Sequence, residues 1–568
     1  MLAVLPDLHI LIDKTNQQWE VMLKATLTKL RPWLVAAVCI LPLMVQANPR
    51  ASLGTNTNEI SDDDTSVPFI DLFKSAMPFE DARPWTTTGE VQYDQYGWPA
   101  RMGAGAHAGT RFLSHMPAQA LVAGDYTVLY EGEGKLQYNG DVKLIESTAG
   151  MDVIRLDAGA DGLYNASVRI MSTNPNNYIR NLKILMPGGI CRNNPYQRVN
   201  DERQCARGQF MAFNQYPDEI IYNPDFLNFM KDFSAIRFMN MMGVTNNEQR
   251  RWQDRPRLEQ ATWGGKQGKR GVPVEIMVDL ANRANANPWF TMPHGVDDNY
   301  VRQFATYVKQ NLRPNLKAYV EYSNETWNTI FVQGNYVRAE GLKLKLDTNA
   351  HRAGYRFYAE RSVQMFKIWE QVFGGKQRLV RVVSGWTVNP SVTEIILGHK
   401  NTFDQVDAFG IAPYFFGGFD EIRGIRNVED AYRLMTDPQY RYSLPKVLGY
   451  ISDQVKLAQK FGVELIAYEG GQGLVDFKSS TDTQHPNPIL YAANRDPRMY
   501  NLYIQFLQGW KKAGGGLFAH YSAPRAYRKF GSWGAKEYSA QPAAQAPKYR
   551  ALLNFMRDNP CWWAGCGR

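Results

Sequence analysis

The stretch Lys317-Ala-Tyr-Val-Glu-Tyr-Ser-Asn-Glu-Thr-Trp-Asn328 decides how this chain reads. A short, largely apolar run ends in a polar tip at Asn324 and Glu325. Val463-Glu-Leu-Ile-Ala-Tyr-Glu-Gly-Gly471 repeats the design, with Glu469 at its tip. Runs of this length, stopped by polar residues or glycine, predict buried strands of a parallel sheet.

Similar runs surround these two. Leu53-Gly-Thr-Asn56 comes first, then Ala235-Ile-Arg-Phe-Met-Asn-Met-Met242 and Trp289-Phe-Thr-Met-Pro-His294. Leu379-Val-Arg-Val-Val-Ser-Gly-Trp386, Ala408-Phe-Gly-Ile-Ala-Pro-Tyr414 and Gly516-Leu-Phe-Ala-His-Tyr521 complete a set of eight. Helical segments alternate with them. Val301, Phe304, Val308 and Leu312 share one face over 298–312, and a long helix is predicted over 352–373. Eight such units predict an α/β fold, a (β/α)8 TIM barrel, with functional groups at the carboxyl ends of the strands. Glu325 then ends strand four and Glu469 ends strand seven.

From 88 to 187 no helical period is present. Short runs such as Asp125-Tyr-Thr-Val-Leu-Tyr130, Lys135-Leu-Gln-Tyr138 and Asp152-Val-Ile-Arg-Leu156 are divided by glycine turns. This predicts an inserted antiparallel, β-sandwich-like domain between strands one and two, binding carbohydrate or serving as structure. The barrel domain is then 48–87 with 188–568.

Residues 1–47 read as an export signal. Lys24, Lys29 and Arg31 precede the apolar stretch 33–44, and Val45-Gln-Ala47 offers a small-residue cleavage site; Met22 is the more usual start. That stretch is too short for a membrane span, and no later segment reaches about 18 unbroken apolar residues. The expectation is a secreted or periplasmic protein with no membrane span in the mature chain. Of the five cysteines, Cys39 leaves with the signal. An even number in an exported chain predicts two disulfides, and of three possible pairings proximity favours Cys191 with Cys205 and Cys561 with Cys566. The spacing and histidine partners of a zinc site are missing. No metal and no cofactor are expected.

A net charge of +9 over 568 residues is too small a surplus to indicate an anionic partner. No basic–aromatic module points to nucleic acid, and a monomer is expected. Gly264-Gly-Lys-Gln-Gly-Lys-Arg-Gly271 lacks the Gly-Lys-Ser/Thr ending of a phosphate loop and reads as a solvated loop. Asp62-Asp-Asp64 reads as a solvated turn rather than a calcium site.

Two carboxylates ending two strands of one sheet are what glycosidic-bond cleavage needs: one protonated to release the leaving sugar, one ionised to attack the anomeric carbon. The 14 Trp and 30 Tyr supply rings on which sugar faces stack.

The segment 319–328, with Asn-Glu ending strand four and Glu ending strand seven, resembles glycoside hydrolase clan A, the retaining (β/α)8 enzymes. It is similar in particular to exported bacterial proteins described as cellulose-binding or glycosidase-like, as is Trp289-Phe-Thr-Met-Pro-His-Gly-Val-Asp-Asp298. The likeness covers about 50–85 and 190–555, not the insert. It implies that Glu325 is the general acid/base and Glu469 the nucleophile, their carboxyl groups about 5–5.5 Å apart. Asn324 would meet the sugar 2-hydroxyl, and Arg237 would keep the nucleophile ionised. Tyr414 would donate to Glu469, and His294 would bind substrate or tune Glu325. Trp327 and Trp386 are expected as stacking platforms.

Where the family places a tryptophan after strand eight, this chain has Ala519-His-Tyr-Ser522. Tyr521 replaces that ring, or Trp533 folds back to it. The expected function is an exported retaining hydrolase of a polysaccharide or oligosaccharide, its β-linkage implied by the family alone. The alternative is a non-catalytic carbohydrate-binding protein on the same barrel.

Overall fold

The computed structural model describes residues 52–566 except Pro84, Gln267 and 417–419, so the export-signal reading of 1–47 lies outside the described residues. The eight expected strands are β1 (Leu53–Asn56), β2 (Ala235–Arg237), β3 (Asn287–Met292) and β4 (Ala318–Tyr322), then β5 (Leu379–Ser384), β6 (Ala408–Ile411), β7 (Glu464–Ala467) and β8 (Phe518–His520). They form a closed barrel in sequence order. β1 pairs in parallel with β2, Asn56 opposite Arg237, and with β8, Thr55 opposite His520. β2 is shorter than the run 235–242 because the chain turns back at once, Met242 N donating to Phe238 O at 2.7 Å.

Amphipathic helices cover the barrel, and their boundaries follow local capping chemistry. Asp297 accepts from Tyr300 N at 2.7 Å and starts the helix Asp298–Asn311. Asn349 accepts from Arg352 N at 3.1 Å and starts Ala350–Phe373, which Gly374 ends in the left-handed region at φ 78. Inside the barrel, Trp289, Tyr319, Val382, Ile466 and Tyr468 pack together, and Trp563 and Cys566 from the tail join them. Trp563 Nε1 donates to Ser52 O at 3.1 Å, so the tail closes the floor beneath β1.

Between β1 and β2 the chain builds the expected antiparallel insert. One sheet holds Ala108–Pro117, Leu163–Thr173 and Gly134–Gly140; another holds Arg180–Leu185, Asp125–Glu131, Met151–Leu156 and Val142–Thr148. Phe112, Val168 and Ile170 from the first share a core with Tyr126, Val128 and Ile154 from the second. A further sheet of Gly189–Cys191, Asn194–Val199 and Phe210–Ala212 follows. Disulfides join Cys191 to Cys205 and Cys561 to Cys566.

Two local expectations are corrected. The Asp62–Asp64 turn is not solvated: Asp62 pairs with Arg111 at 3.2 Å, and Asp64 accepts from Ser66 Oγ at 2.6 Å and Asn58 Nδ2 at 3.1 Å. The glycine-rich loop is packed as well. A Cβ on Gly264 would lie 2.3 Å from Ser75 O, so glycine there permits backbone to approach backbone.

Candidate active site

Arg237 is the centre of the site. It stands at the end of β2, fully enclosed, and its guanidinium fork reaches four side chains. Nε donates to Glu321 Oε2 at 3.1 Å, and Nη1 to Glu469 Oε1 at 2.8 Å and Asn56 Oδ1 at 3.2 Å. Nη2 donates to Asn324 Oδ1 at 2.9 Å. Burying so many donors is favourable only because each finds an acceptor, two of them carboxylates. With Oδ1 committed to Arg237, the amide of Asn324 has its Nδ2 left as a donor.

Glu469 sits two residues beyond β7. Its second oxygen accepts from Tyr414 Oη at 3.0 Å. Burial raises its carboxyl above the ordinary value, while Arg237 and the tyrosine hydroxyl pull it back down.

Glu325 is held by other partners. Oε1 accepts from Tyr468 Oη at 3.2 Å and Oε2 from Asn328 Nδ2 at 3.0 Å. Burial first, and the charge of Glu469 second, push its carboxyl up to about 7. The same two glutamates therefore differ in character. The arginine touches Glu469 directly and favours its ionised form, whereas Glu325 is held by neutral donors. The backbone carries strain here: Ser323 and Glu325 lie in the left-handed region at φ 60 and 43.

The remaining expected residues are distributed around this pair. Trp327, two residues past Glu325, stacks on Trp386 with centroids 5.4 Å apart and planes at 6°. Tyr521 follows β8; its Oη accepts from Asn240 Nδ2 at 2.9 Å, and its ring meets Tyr414 edge-on at 6.3 Å. Trp533 also lies edge-on to Tyr521, at 5.6 Å, so both rings belong to the β8 side. His294 lies two residues beyond β3 and packs against Tyr336 at 4.9 Å, with no hydrogen bond to either ring nitrogen. Burial and Arg250 push its imidazole down to about 4, leaving it neutral.

Solved structures resemble this chain only distantly. The 4-O-α-L-rhamnosyl-β-D-glucuronidase of Fusarium oxysporum 12S is 11% identical at a TM-score of 0.36, covering 58% of this chain and 63% of its own. The modular endo-β-1,4-mannanase of Cellulomonas fimi is 10% identical at 0.34, covering 58% and 65%. The β-glucosidase of Thermotoga maritima is 10% identical at 0.34, covering 66% and 94%. The alignment spans just under two thirds of the first two proteins' lengths. No protein-family model and no curated protein matches the sequence. Such low values carry no argument about substrate, and the barrel rests on its own strand pairing.

Further residues of the site escape sequence reasoning, Asn56 at the end of β1 among them. Glu321 is enclosed within β4 and accepts from Trp289 Nε1 at 3.0 Å and Ser384 Oγ at 2.6 Å, besides Arg237. Its signal was available, since a charge inside a buried strand requires a partner. Tyr468 and Asn328 flank the two glutamates and read as packing and loop residues. Gly410 makes room for this arrangement, because a Cβ there would lie 2.8 Å from Ser384 Oγ.

Proposed function

We propose that the chain is an exported retaining glycoside hydrolase acting on an oligosaccharide or polysaccharide. The observation that carries this reading is the division of partners: Arg237 and Tyr414 hold Glu469, while Glu325 has only Tyr468 and Asn328 and a carboxyl near 7. In the first step a Glu469 oxygen attacks the anomeric carbon as the glycosidic C–O bond breaks. Glu325 gives its proton to the departing oxygen, and a glycosyl ester on Glu469 results. Water then attacks the same carbon, Glu325 takes the water's proton, and the ester bond breaks to restore both groups. Asn324, fixed by Arg237, offers Nδ2 to the 2-hydroxyl. The Trp327–Trp386 pair and Tyr521 with Trp533 supply stacking surfaces on two sides of the site.

The two disulfides fit an oxidising compartment. Among the described residues no helix is long and apolar enough to cross a membrane. The deciding experiment follows reducing ends released from a panel of β-linked polysaccharides, and the anomeric configuration of the first product by NMR. Retention in the wild type, with loss on Glu469→Gln and Glu325→Gln, is the expected result. Inversion or unchanged turnover in both variants would sink the mechanism, and binding without cleavage would leave a carbohydrate-binding protein.

A further inference from the structure

Among the described residues four large Trp and Phe rings are exposed: Trp85, at 80%, stands just before the insert, and three stand on later loops. Trp386, Phe477 and Phe530 have 39%, 62% and 67% of their surface exposed, and all lie on loops after barrel strands, as Glu325 and Glu469 do. Phe477 approaches Trp533 at 6.5 Å, Trp533 meets Tyr521, and Tyr521 meets Tyr414 beside Glu469. A row of rings thus leads outward from Glu469 on the β7–β8 side.

The loops after β7, β8 and β1 come from neighbouring strands, and together they enclose a hollow of about 320 Å³. Its lining includes Asp63, Asp482, Arg528, Lys529 and Phe530 from the barrel loops and His115 from the insert strand Ala108–Pro117. The walls are fixed by one another. Arg528 Nη1 donates to Asp482 Oδ2 at 3.3 Å and Nη2 to His115 O at 2.6 Å. Lys529 N donates to Asp482 Oδ1 at 2.6 Å, and its Nζ, which lies 4.9 Å from the Phe530 ring centre, donates to Ser480 O at 2.6 Å. Two carboxylates facing two cations leave no net charge to select an ion. They leave held donors and acceptors beside an exposed ring, which is what a hydroxyl-rich, uncharged ring requires.

We propose that this hollow is a distal sugar subsite for a neutral glycan bound through the cleft, with Phe530 as its stacking ring and Lys529 and Asp482 as hydroxyl partners. The inserted β domain then contributes to recognition through His115. The proposal rests on the reading of the cleft as a glycan-cleaving site and adds to it a preference for long chains.

The test uses β-1,4-linked glucose, mannose and xylose oligosaccharides of three and six units. In the series that the wild type cleaves, kcat/KM is expected to be higher for the hexasaccharide than for the trisaccharide. Phe530→Ala and Lys529→Met are each expected to shrink that ratio about fivefold to tenfold, with the thermal midpoint confirming the fold. An unchanged ratio in both variants overturns the subsite. If no series is cleaved, the catalytic reading fails, and calorimetric titration of the same hexasaccharides decides the subsite alone. Affinity weakened by Phe530→Ala supports it; equal affinity, or no binding by the wild type, overturns it.

Discussion

Arg237 Nη1 donates to Glu469 Oε1 at 2.8 Å, and neither side chain has more than 8% of its surface exposed. The same guanidinium holds Glu321, so one cation is shared by two enclosed carboxylates. Arg237→Ala should therefore lower stability by about 3–5 kcal/mol, measured by denaturant unfolding, because it strands both anions. Arg237→Lys keeps the charge but loses the fork. Its kcat is expected to fall on the order of a hundredfold. Activity near wild type in the lysine variant would show that geometry at Arg237 is unimportant.

Stability should depend on pH through Glu325. Its carboxyl, ordinarily near 4.5, is raised to about 7 by burial and by Glu469. Below about 4.5 both folded and unfolded forms are protonated. As pH rises from there through about 7, the unfolded chain releases this proton first, so the native state loses stability. Glu325→Gln cannot ionise and escapes the loss. Its melting temperature is expected to exceed that of the wild type by more at pH 8 than at pH 4; an equal difference at both would refute the assignment.

The pH–rate profile should separate the two glutamates. Glu325 must be protonated, so kcat/KM of the wild type is expected to fall as pH rises through about 7. Glu469 must be ionised and sets the acid limb. Tyr414→Phe removes a hydrogen bond that lowers the Glu469 carboxyl, so the acid limb should move to higher pH. An acid limb that stays in place means that Tyr414 does not act on the ionisation of Glu469.

Cys191 and Cys205 close a loop with a sequence separation of 14. Replacing both with serine is expected to cost about 3 kcal/mol of stability, through the freedom regained by the unfolded chain. Catalytic constants should remain near wild type, since the loop joins the sheet 189–212, apart from the glutamate pair. Calorimetric unfolding of the variant against the wild type checks the first statement, and steady-state kinetics checks the second.

The barrel was legible because each of its strands is a short apolar run stopped by a polar tip or glycine. The two glutamates were legible for the same reason, as their tips lie on strands four and seven of that count. Glu321 was not, although it sits in the opening stretch. An alternation of inward positions in β4 puts Glu321 toward the enclosed Arg237, and only the closed barrel shows which arginine meets it. Asp62 and Asp64 were misread because their partners Arg111 and Asn58 are brought to them by the insert and by the loop itself. Sequence gives no spacing rule for such contacts.

The pairing of β1 with β8 has a kinetic consequence. Asn56 reaches His520 across 464 residues of chain, and the other neighbour of β1 lies beyond the whole insert. During synthesis the first strand waits for both edges, and the ring closes only when the last strand has been made. Loop closure over such distances is slow, because chain entropy is lost before any contact is gained. The barrel therefore stays open at the β1–β8 seam until the last strand is made, while the insert, whose strands pair only with one another, has all of its partners long before.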